Sequence, residues 1–476
     1  MCGIIGIIDS PDAVSLTHLG LFALQHRGQE SAGIAAARNG ALRGHAAMGL
    51  VSEVFSQPVL QSLAGDCAIG HVRYSTTGSS HVKNAQPLIF QTAHGPVAVA
   101  HNGNLTNAAA LRAQLEQRGA IFQSDTDTEI IVHLLAREAG SIEEAVINSL
   151  RQVEGSYCLL ILTPDRLIAA RDPYGFRPLV LGELGGDRPA AVLSSETSAL
   201  NLLQARLVRE IEPGELLVAR GGTARSLKPL APKPLSRCVF EAVYFARPDS
   251  KVFGRNVQSV RRELGRELAR QTRGLQADIV VPVPDSGVSA ALGFSDESGI
   301  PFEMALVRSH YISRTFIKPS QKMRELAAQL KLSPVPETLQ GKRVVLVDDS
   351  IVRGTTSLKI TKSLRKAGAR EIHMAVSSPP IMSSCYYGID TPRREELIAN
   401  RHRIDEIRKF LEVDSLHYLE LDRMLRAANG CPACAGDDSQ GFCSACFTGH
   451  YPAPIPDYEN ITAAEPPRRP LESNPL

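Results

Sequence analysis

Several residues have the type and spacing that chemistry needs, and the first is Cys2. Its small side chain favours removal of Met1, which would leave a thiol and a free α-amine of pKa roughly 7.7–8.0 on one residue. Nucleophile and base would then share that residue. Asn102 and Gly103, in the run His101-Asn102-Gly103-Asn104, are suitable donors to an oxyanion. The bland alternative for Cys2 is a small apolar residue opening a strand. The second candidate is the stretch Val344 to Ser357, in which Asp348 and Asp349 close an apolar run and a Ser/Gly/Thr-rich turn leads into a helix. Carboxylates at the end of a buried strand stand where ligands bind in open α/β sheets. Backbone N–H groups of Ser350 to Ser357 could cradle a phosphate, while the two acids reach Mg²⁺ or sugar hydroxyls. It is not the Gly-x4-Gly-Lys-Ser/Thr loop of nucleotide binders.

Weaker signals accompany these. Val283-Pro284-Asp285-Ser286-Gly287 is a turn that offers donors to an anion, and Arg308 to Lys318 gathers Arg308, His310, Arg314 and Lys318 into a basic loop able to close over phosphates. A solvated charged face is the alternative for the loop. Of nine cysteines, four crowd between Cys431 and Cys446. The pairs Cys431-x2-Cys434 and Cys443-x2-Cys446 suit a zinc knuckle, yet Cys238 and Cys385 are possible long-range partners for an iron–sulfur cluster. Spacing alone leaves both open.

The elements that must position these residues fall into two regimes. In the first half, short β-type runs (3–8, 68–72, 97–100, 157–162 and 167–170) alternate with helical stretches at 108–118 and 127–138, an α+β pattern. From Arg220 to Leu235 the composition shifts to Gly, Ala, Lys and Pro without a period that could hold a core element, which marks a boundary. Beyond it, a helix around 257–273, apolar runs at 277–284 and 342–347, and a helix near 355–367 predict a buried parallel sheet. The Pro-rich segment 451–476 reads as a disordered tail.

The 476 residues carry 52 Lys plus Arg against 50 Asp plus Glu, a net charge of +2 that excludes a basic nucleic-acid coat. With 14 Phe, 10 Tyr and no Trp, a base-stacking platform is also disfavoured, so small substrates are expected. No apolar stretch approaches the roughly 18 residues of a membrane span, and the start lacks a signal peptide's basic region. A cytoplasmic protein with neither membrane nor nucleic-acid partners is expected, and its odd cysteine count points to metal or catalytic thiols rather than a disulfide framework.

Taken together, the chain resembles the amidophosphoribosyltransferase family, from Cys2 to about Pro452. Met1-Cys2-Gly3-Ile4-Ile5-Gly6, Leu24-Gln25-His26-Arg27-Gly28-Gln29-Glu30, His71-Val72-Arg73-Tyr74-Ser75-Thr76, His101-Asn102-Gly103-Asn104 and Ser124-Asp125-Thr126-Asp127-Thr128-Glu129 are similar to glutaminase domains of the N-terminal nucleophile (Ntn) hydrolase type. The stretch Val347 to Ser357 is similar to the type I phosphoribosyltransferase fingerprint.

The resemblance implies an αββα Ntn-type glutaminase domain over 2–230, then an α/β type I phosphoribosyltransferase domain with a parallel sheet over 236–450. It implies transfer of ammonia from glutamine to phosphoribosyl pyrophosphate, giving 5-phosphoribosylamine, glutamate and pyrophosphate at the start of purine synthesis. By the same resemblance Cys2 would be the nucleophile, Asn102 and Gly103 the oxyanion hole, and Arg73 and Asp127 the clamps on the glutamine carboxylate and amine. Asp348, Asp349, Ser350, Ile351, Val352, Arg353, Gly354, Thr355, Thr356, Ser357 and Arg314 would bind phosphoribosyl pyrophosphate, with Mg²⁺ held through Ser286, Asp348 and Asp349. The segments around Cys238, Cys385, Cys443 and Cys446 resemble the branch that carries a 4Fe-4S cluster, which would leave Cys431 and Cys434 spare.

A homotetramer inhibited by purine nucleotides is also implied. The sequence departs from the family at Ser309 and Ser313, where Asn and Gly are common, and in Met1, which precedes the cysteine directly where cluster-bearing members often have a short propeptide. Two competing readings are a hexosephosphate aminotransferase, which would lack the Asp348 to Ser357 stretch, and a phosphoribosyl-fold regulator, which would lack the terminal thiol.

Overall fold

The computed structural model describes residues 1–74, 79–186, 189–309, 332–430 and 441–458. Ser75, Thr76, Cys431, Cys434, Arg314 with the rest of the basic loop from His310 to Lys318, and 459–476 lie outside the described residues.

The first half folds as four layers. Gly3–Ile8 is buried at every position because both of its faces are covered. Ile4 and Ile8 meet the second sheet, while Ile5 and Ile7 lie under helix Ala13–Ala23, as the period of two requires. This strand pairs antiparallel with Cys67–Arg73 and Ala190–Ser194 inside a seven-stranded sheet. The facing six-stranded sheet contains Gly95–Leu105, Gly155–Thr163 and Arg166–Arg171, also antiparallel. Ala98, Ala100, Leu160 and Leu162 fill the space between the sheets. Val97, Val99, Leu159 and Ile161 point outward, beneath helices Ala108–Gln117, Thr128–Leu135 and Ile142–Leu150. The result is the expected αββα sandwich.

The second half is built on four parallel strands, Ile279–Pro282, Arg343–Asp348, Glu371–Val376 and Ser415–Tyr418. Alternate residues again divide between two cores. Val345, Val347 and Ala375 pack toward helices Val257–Gln271 and Val288–Ser298, and Val344, Leu346 and Met374 toward helix Thr355–Lys366. Coverage on both faces explains why these strands read as unbroken apolar runs.

Two expectations are corrected. Thr223–Leu227, within the stretch assigned no core element, is an edge strand paired with Leu216–Arg220; it lacks a hydrophobic period because nearly all of it is exposed. The expected tail is ordered at its start, since Tyr451 to Tyr458 folds back on the first domain. There Thr106 Oγ1 donates to Pro454 O at 2.7 Å, and the Asp457 carboxylate accepts from Ala109 N at 2.7 Å, at the first turn of a helix. Proline content signalled irregular backbone, and such backbone can still be anchored by hydrogen bonds.

Candidate active sites

Strand pairing assembles the first site. Gly3 stands opposite Val72, which brings Cys2 and Arg73 to the same end of the sheet, and the Cys2 thiol lies 3.6 Å from Tyr74 O. Cys2 is 8% exposed, enough to be approached while mostly shielded from water. Its backbone N donates to Asn102 Oδ1 at 3.2 Å. The other end of that amide, Asn102 Nδ2, is buried and has no partner among the described residues. Buried polar atoms are seldom left unpaired. A donor held in reserve beside a thiol fits an oxyanion that exists only during reaction.

The two expected clamps are buried nearby. Arg73 is 3% exposed and reaches Glu30 and the carbonyl of Ser79. Asp127 is 7% exposed and accepts from Leu105 N at 2.8 Å. His101, next to Asn102 in the chain, lies 3.6 Å from Asp127. Burial works against the Asp127 charge, but His101 and backbone donors keep its pKa below the usual carboxylate value. It is therefore an anion at neutral pH, as a clamp for an ammonium requires.

Behind Cys2 is a charge network to which the sequence reading gave no role. Arg27 Nε donates to Cys2 O at 2.9 Å, and its remaining donors reach Glu196 at 2.5 Å and Glu241 at 2.8 Å. Burial opposes the Arg27 charge, yet Glu241 and Glu196 raise its pKa above the ordinary value. Arg177 lies 3.4 Å from Glu241 and contacts the Met1 thioether. Glu241 opens a π-helical turn in the second domain, so this network ties the backbone of Cys2 to both halves. Arg27 and Glu241 fall inside motifs that the sequence does display. Glu196 and Arg177 carry no local signal, because pairing across such distances is visible only in three dimensions.

At the second site, Asp348 ends its strand, Asp349 follows it directly, and both are buried. Burial and the charge of Asp349 push the Asp348 pKa well up. Burial also raises Asp349, against hydrogen bonds from Ser286 and Ser350 and the charge of Arg261. Ser286 and both acids are thus brought together from two strands. Two adjacent buried carboxylates repel, and a divalent cation with oxygen ligands would relieve that repulsion, so the donor set fits Mg²⁺.

The phosphate stretch divides by burial. Ile351 is 2% exposed and belongs to the core, so it can offer only backbone; Arg353 is exposed and pairs with Glu396. Gly354 takes φ of +75° at the cap of helix Thr355–Lys366, where a Cβ would come within 2.8 Å of Ile398. Thr355 and Thr356 are exposed at the N-terminus of this helix, and Ser357 is buried there. Asp285 is paired with Arg308.

The four expected cluster cysteines also converge. Cys238 is paired in register with Cys443 across two short parallel strands, and the Cys446 carbonyl accepts from Met382 N at 2.9 Å, three residues before Cys385. None is in a disulfide. Burial pushes the Cys238 thiol up to about 11, and burial with neighbouring thiols raises Cys443 and Cys446 further. Among the described residues no group of three or more His, Cys, Asp or Glu is drawn together as ligands of one metal ion must be. Cys238 is buried, and Cys385, Cys443 and Cys446 are half-buried. Among the described residues no helix is long and apolar enough to cross a membrane.

Comparison with known proteins gives two family matches, the glutamine amidotransferase domain over residues 71–202 and the phosphoribosyl transferase domain over 258–382. The chain is 50% identical over 454 residues to amidophosphoribosyltransferase 1, chloroplastic, of Arabidopsis thaliana, covering 95% of this chain and 78% of that protein. It is 45% identical to the amidophosphoribosyltransferase of Bacillus subtilis, covering 95% of this chain and 94% of that one. The solved B. subtilis glutamine phosphoribosylpyrophosphate amidotransferase, complexed with ADP and GMP, superposes with a TM-score of 0.89 at 45% identity, covering 95% of this chain and 98% of that one.

Proposed function

The chain belongs to the amidophosphoribosyltransferases, and from that premise we propose which of its residues perform each half of the reaction. The enzyme takes ammonia from glutamine and transfers it to phosphoribosyl pyrophosphate, giving 5-phosphoribosylamine, glutamate and pyrophosphate, the first committed step of purine synthesis.

In our reading Cys2, freed of Met1, attacks the side-chain amide of glutamine, and its α-amine takes up the thiol proton. Arg73 and Asp127 hold the carboxylate and ammonium ends of the substrate, which carry the opposite charges. Asn102 Nδ2 and Gly103 N–H donate to the oxyanion as it forms. Ammonia departs with a proton, and water then cleaves the thioester. The observation that carries this assignment is the buried Asn102 Nδ2, unpaired among the described residues, on the amide whose oxygen accepts from Cys2 N.

At the other site, backbone donors and hydroxyls of Ser350 to Ser357 bind the 5′-phosphate, while Asp348 and Asp349 face the ribose and Ser286 lies toward the pyrophosphate. Arg314 would close over the substrate. Mg²⁺, when bound by Asp348, Asp349 and Ser286, would neutralise charge on the departing pyrophosphate. Ammonia must travel between the sites in an enclosed path, because bulk water would protonate it.

Cys238, Cys385, Cys443 and Cys446 are proposed to hold a 4Fe-4S cluster, which would supply the cationic centre that four neighbouring thiolates need. Regulation by purine nucleotides is supported by the ADP and GMP complex of the B. subtilis protein. A homotetramer and a cytoplasmic setting complete the proposal.

Glutamate release from glutamine, assayed with and without phosphoribosyl pyrophosphate, tests the coupled function. Strong stimulation by that ligand is expected, and indifference to it would refute coupling of the two halves. For the thiols, an anaerobic preparation is expected to be brown and to contain iron and sulfide. A colourless preparation free of iron would defeat the cluster.

A further inference from the structure

The second domain touches the first directly at the oxyanion hole. Gly388 has φ of +98°, and a Cβ placed there would come within 3.0 Å of the Gly103 carbonyl carbon and 3.1 Å of its Cα and oxygen. Gly103 is also confined within its own domain, since a Cβ on it would approach Ser156 O to 2.0 Å. The Gly103 Cα and carbonyl, which directly follow its N–H, are therefore crowded by a turn from the other domain as well as by the neighbouring strand. On either side of this contact, Asn104 Nδ2 donates to Tyr386 O at 3.0 Å and Arg177 Nε donates to Tyr387 O at 3.0 Å. The turn is itself fixed. Tyr387 stacks on Phe176 at 4.3 Å and donates to Ala453 O at 2.6 Å, and Cys385 N donates to Thr391 Oγ1 at 2.7 Å.

We propose that the turn Tyr386-Tyr387-Gly388 is a positioning element for the glutaminase reaction, a wall from the second domain that sets where the Gly103 peptide stands in the oxyanion hole. An oxyanion donor must be held to within a fraction of an ångström, and a misplaced donor forfeits much of its effect. The first domain crowds Gly103 through Ser156 and His101, and the second crowds it through Gly388. Glycine at 388 is required twice, by its positive φ and by the approach of Gly103. This inference rests on the assignment of Asn102 and Gly103 as oxyanion donors.

The test uses the full-length enzyme carrying Gly388→Ala. Loss of an aligned oxyanion donor costs about 10²–10³ in kcat, and a displaced one should cost about 10- to 100-fold in glutamine hydrolysis, with KM changed less than about two-fold. Alkylation of Cys2 by iodoacetamide builds no oxyanion, so its rate, followed by mass spectrometry of the N-terminal peptide, should stay within about two-fold, as should ammonia-dependent synthesis. Asn104→Ala removes the bond to Tyr386 O, together with the Asn104 contact to Tyr458, without any backbone clash, and should give the same pattern at about three- to ten-fold, the scale of one hydrogen bond. Unchanged kcat in both variants would overturn the proposal. So would a parallel fall in alkylation or ammonia-dependent synthesis, which would signal general damage. Asn102→Ala separates the two levels: if it leaves glutamine hydrolysis intact, the oxyanion assignment itself fails. If it impairs hydrolysis while the Gly388 and Asn104 variants do not, only the positioning role fails.

Discussion

Cys2→Ser is expected to lower glutamine-dependent synthesis of phosphoribosylamine at least ~10³-fold, about 4 kcal/mol of transition-state stabilisation, while ammonia-dependent synthesis stays near the wild-type rate. Serine preserves everything around the nucleophile except its sulfur. It too is small enough for Met1 to be removed, its backbone N can still meet Asn102 Oδ1, and its carbonyl can still accept from Arg27. What changes is the attacking atom, since a hydroxyl ionises far less readily than a thiol of pKa about 8.5 and is a weaker nucleophile at neutral pH. The second site lies in another domain with its own sheet, so free ammonia should bypass the defect. Parallel assays with glutamine and with ammonium salt at raised pH measure the split. Equal loss of both activities would contradict separate sites, and undiminished use of glutamine would remove Cys2 from the mechanism.

Legibility in the sequence followed the range of the interactions. Gly3–Ile8 and Arg343–Asp348 were readable because burial on both faces leaves an unbroken apolar run, and Asp348 and Asp349 at the end of such a run pointed to a ligand site without any knowledge of the fold. Helix Thr355–Lys366 was readable from its period and from the hydroxyl-rich turn before it. Thr223–Leu227 was not, because an exposed edge strand needs no hydrophobic pattern and is held by backbone bonds to Leu216–Arg220. The anchoring of Tyr451 to Tyr458 was hidden for a related reason, since its partners Thr106 and Ala109 are more than three hundred residues away. The same holds at the candidate glutaminase site. Cys2, Asn102 and Asp127 lie in recognisable runs, but the contact of Gly388 with Gly103 and the pairing of Arg27 with Glu196 and Glu241 join segments whose spacing carries no local information.

Asp348→Asn and Asp349→Asn should each abolish the second half-reaction, lowering synthesis with glutamine and with ammonia alike by about 10²-fold or more. The amide keeps the shape of the carboxylate but loses the negative charge that would draw in a divalent cation and balance it. The effect on stability should have the opposite sign. Burial raises the pKa of both acids, and the charge of Asp349 raises Asp348 further, so the charged pair is costly to the folded state at neutral pH when no cation is bound. A neutral isostere removes part of that cost, and the variants should melt at or above the wild-type temperature without Mg²⁺. Added Mg²⁺ with phosphoribosyl pyrophosphate should raise the melting temperature of the wild type and not of the variants, because only a bound state is stabilised by mass action. Glutamine hydrolysis, no longer stimulated by phosphoribosyl pyrophosphate, should fall to its basal rate rather than to zero, since Cys2 and Asn102 are untouched. A variant that melts lower than the wild type, or that loses basal glutamine hydrolysis as well, would assign these acids to the support of the fold rather than to its chemistry.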